Sequence, residues 1–592
     1  MHLLRSCNFG LPKIALENVF MPITPILSPT LSRALAEIII PEWSRLLSIK
    51  DLEEMYPYRV LPAKAMVTRV SPSPTGFMHL GGLYVGLINY LLAKISGGVF
   101  FLRVEDTDTA RYVKGALDTI VDVFPAFNFA CHEGLTRSPD NTILTCGSYG
   151  PYIQSERKDI YRAVLFELIC QGIAYPCFMT AEELDATRKE QSVQNVRPGI
   201  YGQYARYRTL DIADAMVRIT HGEKYVVRFR APTSSSETIS WNDAARGSMS
   251  APVNDADAIL LKSEGMPSYH FAHLVDDHFM RTTHVIRADE WLPSMPLHLQ
   301  LFHSIGWKSP IYGHLAPIQK MEGSSRRKLS KRKDPEADIR YYLKQGYAPE
   351  AIAEYLLTLA NSTFEKWRNT HPDVEWQSFP LCLDRLNNSG ALADSAKLNN
   401  ISRHFYARIA ISELIARVIN WVREYPSPLG ELLVNDLSYT TRVLEIDNKE
   451  GHGAKRFASL AELAENARPF FDEFEPPLET LPYPTRIALA DRLAILDHIA
   501  RDFDDTINAD EVFTHIKKIA TELNYASSVK EFNTDPTKFK GHVGDVAMVI
   551  RLALFGSPIS PDLGLAMTTL GSHRVVARCR KAIRMTASDK NS

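Results

Sequence analysis

Residues 65–124 alternate two kinds of segment in an order that few folds accommodate. Ala65 to Val70 reads AMVTRV, rich in β-branched side chains, and predicts a strand. Ser71 to Gly76 is SPSPTG, whose two prolines and glycine forbid regular structure. His79 opens HLGGLYVGLINYLLAKI, a helical pattern that stops at Gly97-Gly98. Val99 to Val104 predicts a second strand, and Thr109 to Phe124 a second helix. Strand, tight loop, helix, strand, helix is a βαβ unit, which requires a parallel sheet. Ligands of such sheets sit beyond the carboxyl ends of the strands. Both polar loops here, 71–82 and 105–108, follow strand ends.

The remainder is organised around that unit. A length of 592 residues suggests roughly three to five domains. Residues from about 150 to 270 read as an inserted mixed segment. Helical patterns (157–171, 181–191) precede the strands 225–230 and 258–261. Strand-like Leu274-Val275 and His284-Val-Ile286 then resume the sheet. From about Ala348 onward helical periodicity dominates, with breaks near Asn387-Asn388 and Pro426 to Pro428. The net charge of −2 excludes a globally basic chain, so any nucleic acid must be held by local patches. The seven cysteines form no Cys-x-x-Cys pair, which argues against a disulfide framework or a structural zinc site. No apolar run reaches the ~18 residues of a membrane span. Through Leu35 the sole acidic residue is Glu17, against Arg5, Lys13 and Arg33. An acidic-poor, basic start is how a mitochondrial presequence reads, a disordered tail being the alternative.

Two segments carry chemistry. In the first, a strand runs through a Pro/Gly turn into a helix headed by His79, Gly81 and Gly82. A helix N-terminus offers unpaired N–H groups and partial positive charge to a phosphate, and glycines allow close approach. A histidine there can donate to a phosphate oxygen as charge develops. Read alone, the loop leaves a plain surface turn open. The second is Arg326-Arg-Lys-Leu-Ser-Lys-Arg-Lys333, six of whose eight residues are basic. Lysines on such a loop can clamp ATP phosphates, although a nonspecific basic patch reads the same way.

Together the two segments resemble the paired signatures of class I aminoacyl-tRNA synthetases, here His79-Leu-Gly-Gly82 and Lys328-Leu-Ser-Lys-Arg332. Their surroundings narrow the resemblance to the bacterial and organellar glutamyl-tRNA synthetase family. Arg69 to Gly76, Leu102 to Asp108 with Arg111, Gly150 to Arg157, Val275-Asp-Asp-His278 and Val285 to Trp291 all resemble its stretches, in order. The resemblance implies a Rossmann-type α/β catalytic domain with an inserted α+β acceptor-binding domain, followed by an all-α anticodon-binding domain. The boundaries expected are a presequence or tail over 1–60, catalytic halves at 61–150 and 273–335, and the insertion at 151–272. A stem-contact region at 336–405 and an anticodon-binding domain at 406–592 complete the set.

The resemblance also assigns roles. His79, Gly81, Gly82, Arg111, Glu290, Lys328, Leu329, Ser330, Lys331 and Arg332 belong to ATP, with His79, Lys328 and Lys331 catalytic. Arg69, Val70, Ser71, Ser73, Glu105, Tyr269, His273 and Arg287 belong to glutamate. Arginine forks suit its carboxylates and Glu105 its ammonium. A mutual Arg69–Glu105 salt bridge is the purely structural alternative. ATP is a substrate, accompanied by Mg2+ held by phosphates and water. The expected partners are glutamate, ATP and tRNA(Glu), with tRNA(Gln) open as a second acceptor in an organelle. A monomer in the mitochondrial matrix is expected, a cytoplasmic location being the alternative.

The chain departs from the family pattern in places. His273 stands where asparagine is usual, and Ser71 where alanine is. Cys177 is a single thiol where some members build a zinc site, so no zinc is expected. Glutaminyl-tRNA synthetases differ at Pro72-Ser-Pro-Thr75 and lack the Arg287-to-Trp291 pattern. An inactive tRNA-binding paralogue is disfavoured by the intact His79, Glu105, Arg287 and Lys331. The basic stretches 538–551 and 574–584 are candidates for RNA contact.

Overall fold

The computed structural model describes residues 28–232, 237–330, 333–446, 457–472, 483–484 and 487–588. Two compact units result: residues 1–339 with 353–394, and residues 340–352 with 395–592. The expected 336–405 region is therefore shared between them. Lys331, Arg332 and the first 27 residues of the expected presequence lie outside the described residues.

In the first unit the βαβ reading becomes structure. Strand Val67–Val70 pairs in parallel with Val99–Leu102, Val67 opposite Val99 and Val70 opposite Leu102. Strand His284–Ala288 pairs in parallel with Ile311–Leu315. Thr283 joins the two pairs: its N–H donates to the Val67 carbonyl (3.0 Å) and its hydroxyl accepts from Val67 N–H (2.7 Å). The helix Leu80–Ser96 lies on these strands. Thr68 Oγ1 donates to the Asn89 carbonyl (2.8 Å), and Asn89 Nδ2 donates to the Ile286 carbonyl (3.0 Å). That polar tie sits in an otherwise apolar face of Leu83, Leu87, Ile88 and Leu91. The helix ends at Gly97 (φ 66°), a left-handed cap that glycine adopts without strain. At Gly98 a side chain has no room, because a Cβ would fall 2.0 Å from the Met66 carbonyl oxygen.

Three local readings change. Leu274-Val275 belongs to the helix Tyr269–Phe279, capped by Ser268, and not to a strand. A short apolar pair carries no period that separates the two. The helix read from Thr109 starts at Ala116, since Gly115 at φ 80° interrupts it. The supposed tail is folded from Pro29. Helix Pro29–Ile39 buries Leu35, Ala36 and Ile39, and helix Ile49–Met55 starts at a capping box between Ser48 and Asp51. Tyr56 OH donates to the Gly150 carbonyl (2.8 Å), and Arg59 binds Glu133 bidentately (2.6 and 2.9 Å). Residues 28–60 therefore belong to the first unit, and an acidic-poor start does not extend to the presequence boundary expected at 60.

The inserted segment is mixed, as expected. Helix Lys158–Cys170 precedes an antiparallel sheet ordered Ala174–Cys177, Val226–Phe229, Ile259–Leu261. In a hairpin of Thr238–Asp243 and Gly247–Pro252 the first strand alternates strictly, burying Ile239, Trp241 and Asp243. Ile239 and Trp241 pack with Val285, Met295, Leu299 and Tyr312 against the parallel strands.

The second unit is helical throughout its described residues from Ser395. Helices Ile411–Glu424, Leu489–Asp502, Ala509–Glu522, Val543–Phe555 and Leu563–Ser588 share one apolar core. Residues 538–551, a candidate RNA-facing stretch, run into Val543–Phe555, which buries Val543, Val546, Val549, Ile550 and Leu552. Arg578 is also buried, donating to the Leu554 carbonyl (2.8 Å). Both stretches thus bury one face, as amphipathic segments do, while Lys538, Lys540 and Arg580 stay exposed.

Candidate active site

At the carboxyl ends of the parallel strands lies a cleft of about 590 Å³. It gathers Arg69, Val70, Ser71, Ser73, His79, Gly81, Gly82, Glu105, Tyr269, Arg287, Glu290, Lys328 and Leu329, all of them anticipated. The two loops that form it are tied by backbone bonds: Glu105 N–H donates to the Pro72 carbonyl and Val113 N–H to that of Pro74, both 2.9 Å.

One end is built to receive an anion. His79 caps the helix Leu80–Ser96, its Nδ1 accepting from Gly82 N–H (2.9 Å). That bond leaves the ring proton on Nε2, so the imidazole is a donor on its other edge. A Cβ at Gly82 would meet Met78 Sδ at 2.4 Å, and one at Gly81 would meet His79 Nδ1 at 3.0 Å. Only bare backbone fits this turn without displacing the side chains around it. Lys328, at the end of strand Ser325–Lys328, reaches Glu290 (Nζ to Oε2 2.5 Å). The loop beyond it is anchored at its base, where Arg327 binds Asp334 bidentately (2.6 and 2.8 Å) and Ser330 N–H donates to Asp334 (2.9 Å). Those bonds hold the Asp334 carboxyl well below the usual range. Leu315, Ala316, Pro317, Ile318 and Val85 add an apolar wall.

The other end is a buried charge network. Arg69 pairs with Asp277 (3.3 Å), which also takes Arg103 (2.8 Å). Arg103 reaches Glu105 (3.1 Å) and Asp276 (3.5 Å), and Arg157 binds Asp276 (2.6 Å). Glu105 is thus bonded to Arg103 rather than to Arg69, which answers the structural alternative for that pair. Burial pushes the Glu105 carboxyl up, against the pull of Arg103 and Arg69. Asp277 is held far below the usual carboxylate range by Arg69 and Arg103, whose charges outweigh its burial. An incoming ammonium would supply the charge that burial withholds from Glu105.

Arg287 differs from these arginines. It is 4 % exposed and lines the cleft, yet no carboxylate lies within ion-pair distance among the described residues. Its neighbours are neutral: His314 Nε2 (3.0 Å from Nε), His298 Nδ1 (3.2 Å), Met295 Sδ (3.3 Å) and Tyr269 OH (3.5 Å). Its guanidinium carbon lies 4.9 Å from the Tyr312 ring centroid. Tyr269 is clamped between Trp291 (4.1 Å) and His273 (5.7 Å).

Three anticipated residues are not brought into the cleft wall. Arg111 is exposed on the 3-10 turn Thr109–Arg111 and pairs with Asp108 (2.5 Å). Ser330 lies at the anchored loop base. His273 is fully buried behind Tyr269, with Nδ1 2.7 Å from Asp277 and Nε2 3.1 Å from Tyr312 OH. Burial pulls its pKa down to about 3, so it is neutral. Residues that sequence reasoning missed include Asp277, Arg103, His314, His298 and Asp243. Asp277 stood in a quoted motif, but its arginine partners, Arg69 and Arg103, come from segments more than 170 residues away.

Residues 65–394 match the family described as tRNA synthetases class I (E and Q), catalytic domain, and residues 451–583 match the anticodon binding domain. A glutamate–tRNA ligase of Sorangium cellulosum is 44% identical over 551 residues, covering 89% of this chain and 96% of the relative. One of Clostridium perfringens is 40% identical over 530 residues, covering 89% and 95%. The crystal structure of a glutamate tRNA ligase from Elizabethkingia meningosepticum, in complex with its amino acid, superposes with a TM-score of 0.69. That pair shares 27% identity over 88% of this chain and 99% of the other.

Proposed function

The chain belongs to the bacterial-type glutamate–tRNA ligases, class I aminoacyl-tRNA synthetases, and from that premise we propose that its Arg287 receives the side-chain carboxylate of glutamate. The enzyme activates glutamate with ATP, releasing pyrophosphate, and transfers the glutamyl group to the 3′ end of tRNA(Glu).

The observation that carries the reading is a buried, cleft-facing guanidinium with no carboxylate in ion-pair distance among the described residues. A charge so placed is costly unless an anion completes it. Glutamate brings that anion and glutamine does not. Arg69 orients the α-carboxylate, Glu105 takes the α-ammonium, and Ser71, Ser73 and Tyr269 add hydrogen bonds. The α-carboxylate then attacks the α-phosphorus in line. His79 Nε2–H and the N–H groups of the helix start meet the phosphates, while Lys328 and Lys331 draw charge onto the leaving pyrophosphate. Catalysis is positioning and charge stabilisation, with no covalent enzyme intermediate. Mg2+ would enter with ATP. The phosphate end of the cleft offers cationic donors and the carboxylate of Glu290, so phosphates and water would hold the ion. Cys177, buried in its strand, is not part of a zinc site in this reading.

Glutamate-dependent ATP–pyrophosphate exchange, with tRNA(Glu) present, tests the assignment. Arg287→Ala should raise KM for glutamate by roughly two powers of ten, as expected for a lost bidentate charge-assisted contact. An unchanged KM for glutamate removes the assignment.

The acidic-poor start supports import into mitochondria. Because residues from 28 are packed into the first unit, removal of a presequence would occur before that point. Sequencing the mature N-terminus checks this: a terminus beyond residue 28 contradicts it. A mitochondrial enzyme could also glutamylate tRNA(Gln), which aminoacylation of purified organellar tRNAs decides.

A further inference from the structure

The neutral shell around Arg287 has a defined protonation pattern, and one member is tied to a carboxylate. A guanidinium only donates. His314 Nε2, 3.0 Å from Arg287 Nε, therefore presents its lone pair, and the ring proton sits on Nδ1. That nitrogen lies 2.5 Å from Asp243 Oδ2. The other carboxylate oxygen, Oδ1, accepts backbone N–H bonds from Ala245 (3.0 Å), Arg246 (3.1 Å) and His314 (3.1 Å). Three donors on one oxygen fix the orientation of the carboxylate. Asp243 and His314 are both buried. Strand alternation turns Asp243 inward, and the parallel register sets His314 opposite Arg287. Neither residue lines the cleft.

We propose that Asp243 and His314 are positioning residues for glutamate selection, holding Arg287 by its Nε through a fixed imidazole tautomer. The proposal rests on the reading of Arg287 as receptor for the side-chain carboxylate. The imidazole keeps Asp243 one ring away from the guanidinium. At that distance the carboxylate offsets the buried charge without occupying the terminal nitrogens. A carboxylate set directly on the fork would take the place of the substrate.

On the far side of the guanidinium the same logic repeats without an acid. His298 Nδ1 accepts from Arg287, so its proton sits on Nε2, facing His270 Nδ1 at 3.0 Å. Asp243 is therefore the group that sets the guanidinium's orientation by charge.

The test is Asp243→Asn, His314→Leu, His314→Gln and Arg287→Ala in the full-length enzyme. Initial rates of ATP–pyrophosphate exchange, with tRNA(Glu) present, are read against active sites titrated by adenylate formation. In Asp243→Asn the three backbone donors hold the amide oxygen at the Oδ1 position. The NH2 group then faces His314 Nδ1, drives the ring proton to Nε2, and sets donor against donor at Arg287. KM for glutamate should rise at least tenfold in Asp243→Asn and His314→Leu, while KM for ATP stays within twofold. The preference for glutamate over glutamine should fall in both. His314→Gln, which restores an acceptor, should recover KM for glutamate to within about threefold of the parent. Parent-like KM values in Asp243→Asn and His314→Leu, beside a raised KM in Arg287→Ala, overturn the positioning role alone. So does a parallel rise in both KM values, or a failure of His314→Gln to recover what His314→Leu loses. An unchanged KM for glutamate in Arg287→Ala overturns the reading beneath it as well.

Discussion

Asp277→Asn isolates the charge on which the amino-acid end of the cleft depends. The side chain is fully buried and accepts from Arg103 (2.8 Å), Arg69 (3.3 Å) and Thr282 (3.1 Å). Asparagine keeps the volume and removes the charge, leaving Arg69 without its carboxylate partner and Arg103 with Asp276 and Glu105. Removing one partner of a buried pair costs about 3–5 kcal/mol, because the remaining charge stays desolvated. Six of the seven tryptophans, all but Trp421, belong to the first unit, so intrinsic fluorescence reports its unfolding. With a urea m-value near ~3 kcal/mol/M, the midpoint of that transition should fall by about 1 M or more. The sign with pH follows from the depressed pKa of Asp277 in the folded state. Its contribution is fully present above the unfolded value of ~3.9 and is lost as pH falls through the folded one. The gap between parent and variant should therefore be constant from pH 8 to 5 and close only in stronger acid. A midpoint shift under about 0.3 M at pH 7, equivalent to ~1 kcal/mol at that m-value, would refute the reasoning, because Arg69 and Arg103 would then be compensated elsewhere. A gap closing between pH 7 and 5 would assign the titration to a histidine instead.

Three further outcomes are expected. Burial holds His273 (pKa about 3) and His284 (about 4) neutral. Each stabilises the fold above its unfolded pKa of ~6.5 and loses about 1.4 kcal/mol of that one unit lower, so the first unit should weaken by at least about 3 kcal/mol between pH 7.5 and 5.5; a fluorescence-monitored urea midpoint that does not move over this range contradicts their neutrality. Gly98→Ala places a methyl on the Met66 backbone and should destabilise the first unit by about 2–3 kcal/mol, with KM for both substrates unchanged in whatever remains folded. Lys331→Ala should slow pyrophosphate exchange at least a hundredfold, in line with the loss of a transition-state donor, and leave tRNA affinity from filter binding within about twofold; equal loss of both would make the loop chiefly an RNA contact.

The catalytic sheet and the phosphate end of the cleft were legible in the sequence because their determinants are local. A strand, a Pro/Gly turn and a glycine-headed helix lie within thirty residues, and their order dictates where an anion can sit. His79, Gly81, Gly82, Arg69 and Glu105 follow from that order together with the family resemblance, and the structure brings them into one cleft. The second helix start and the strand reading of Leu274-Val275 went astray where a few residues carry no period. The packed segment 28–60 was hidden because its partners, Gly150, Glu133 and Arg281, lie 70 to 230 residues away.

What tertiary structure alone decided is which charges are paired. Apart from the family resemblance, nothing local in the sequence distinguishes Arg69, Arg103, Arg157 and Arg287. Folding gives the first three carboxylates on the helix Tyr269–Phe279 and surrounds the fourth with neutral rings. Whether a guanidinium stabilises the fold or waits for a substrate depends on the acids that long-range packing places around it, and no local pattern encodes that distance.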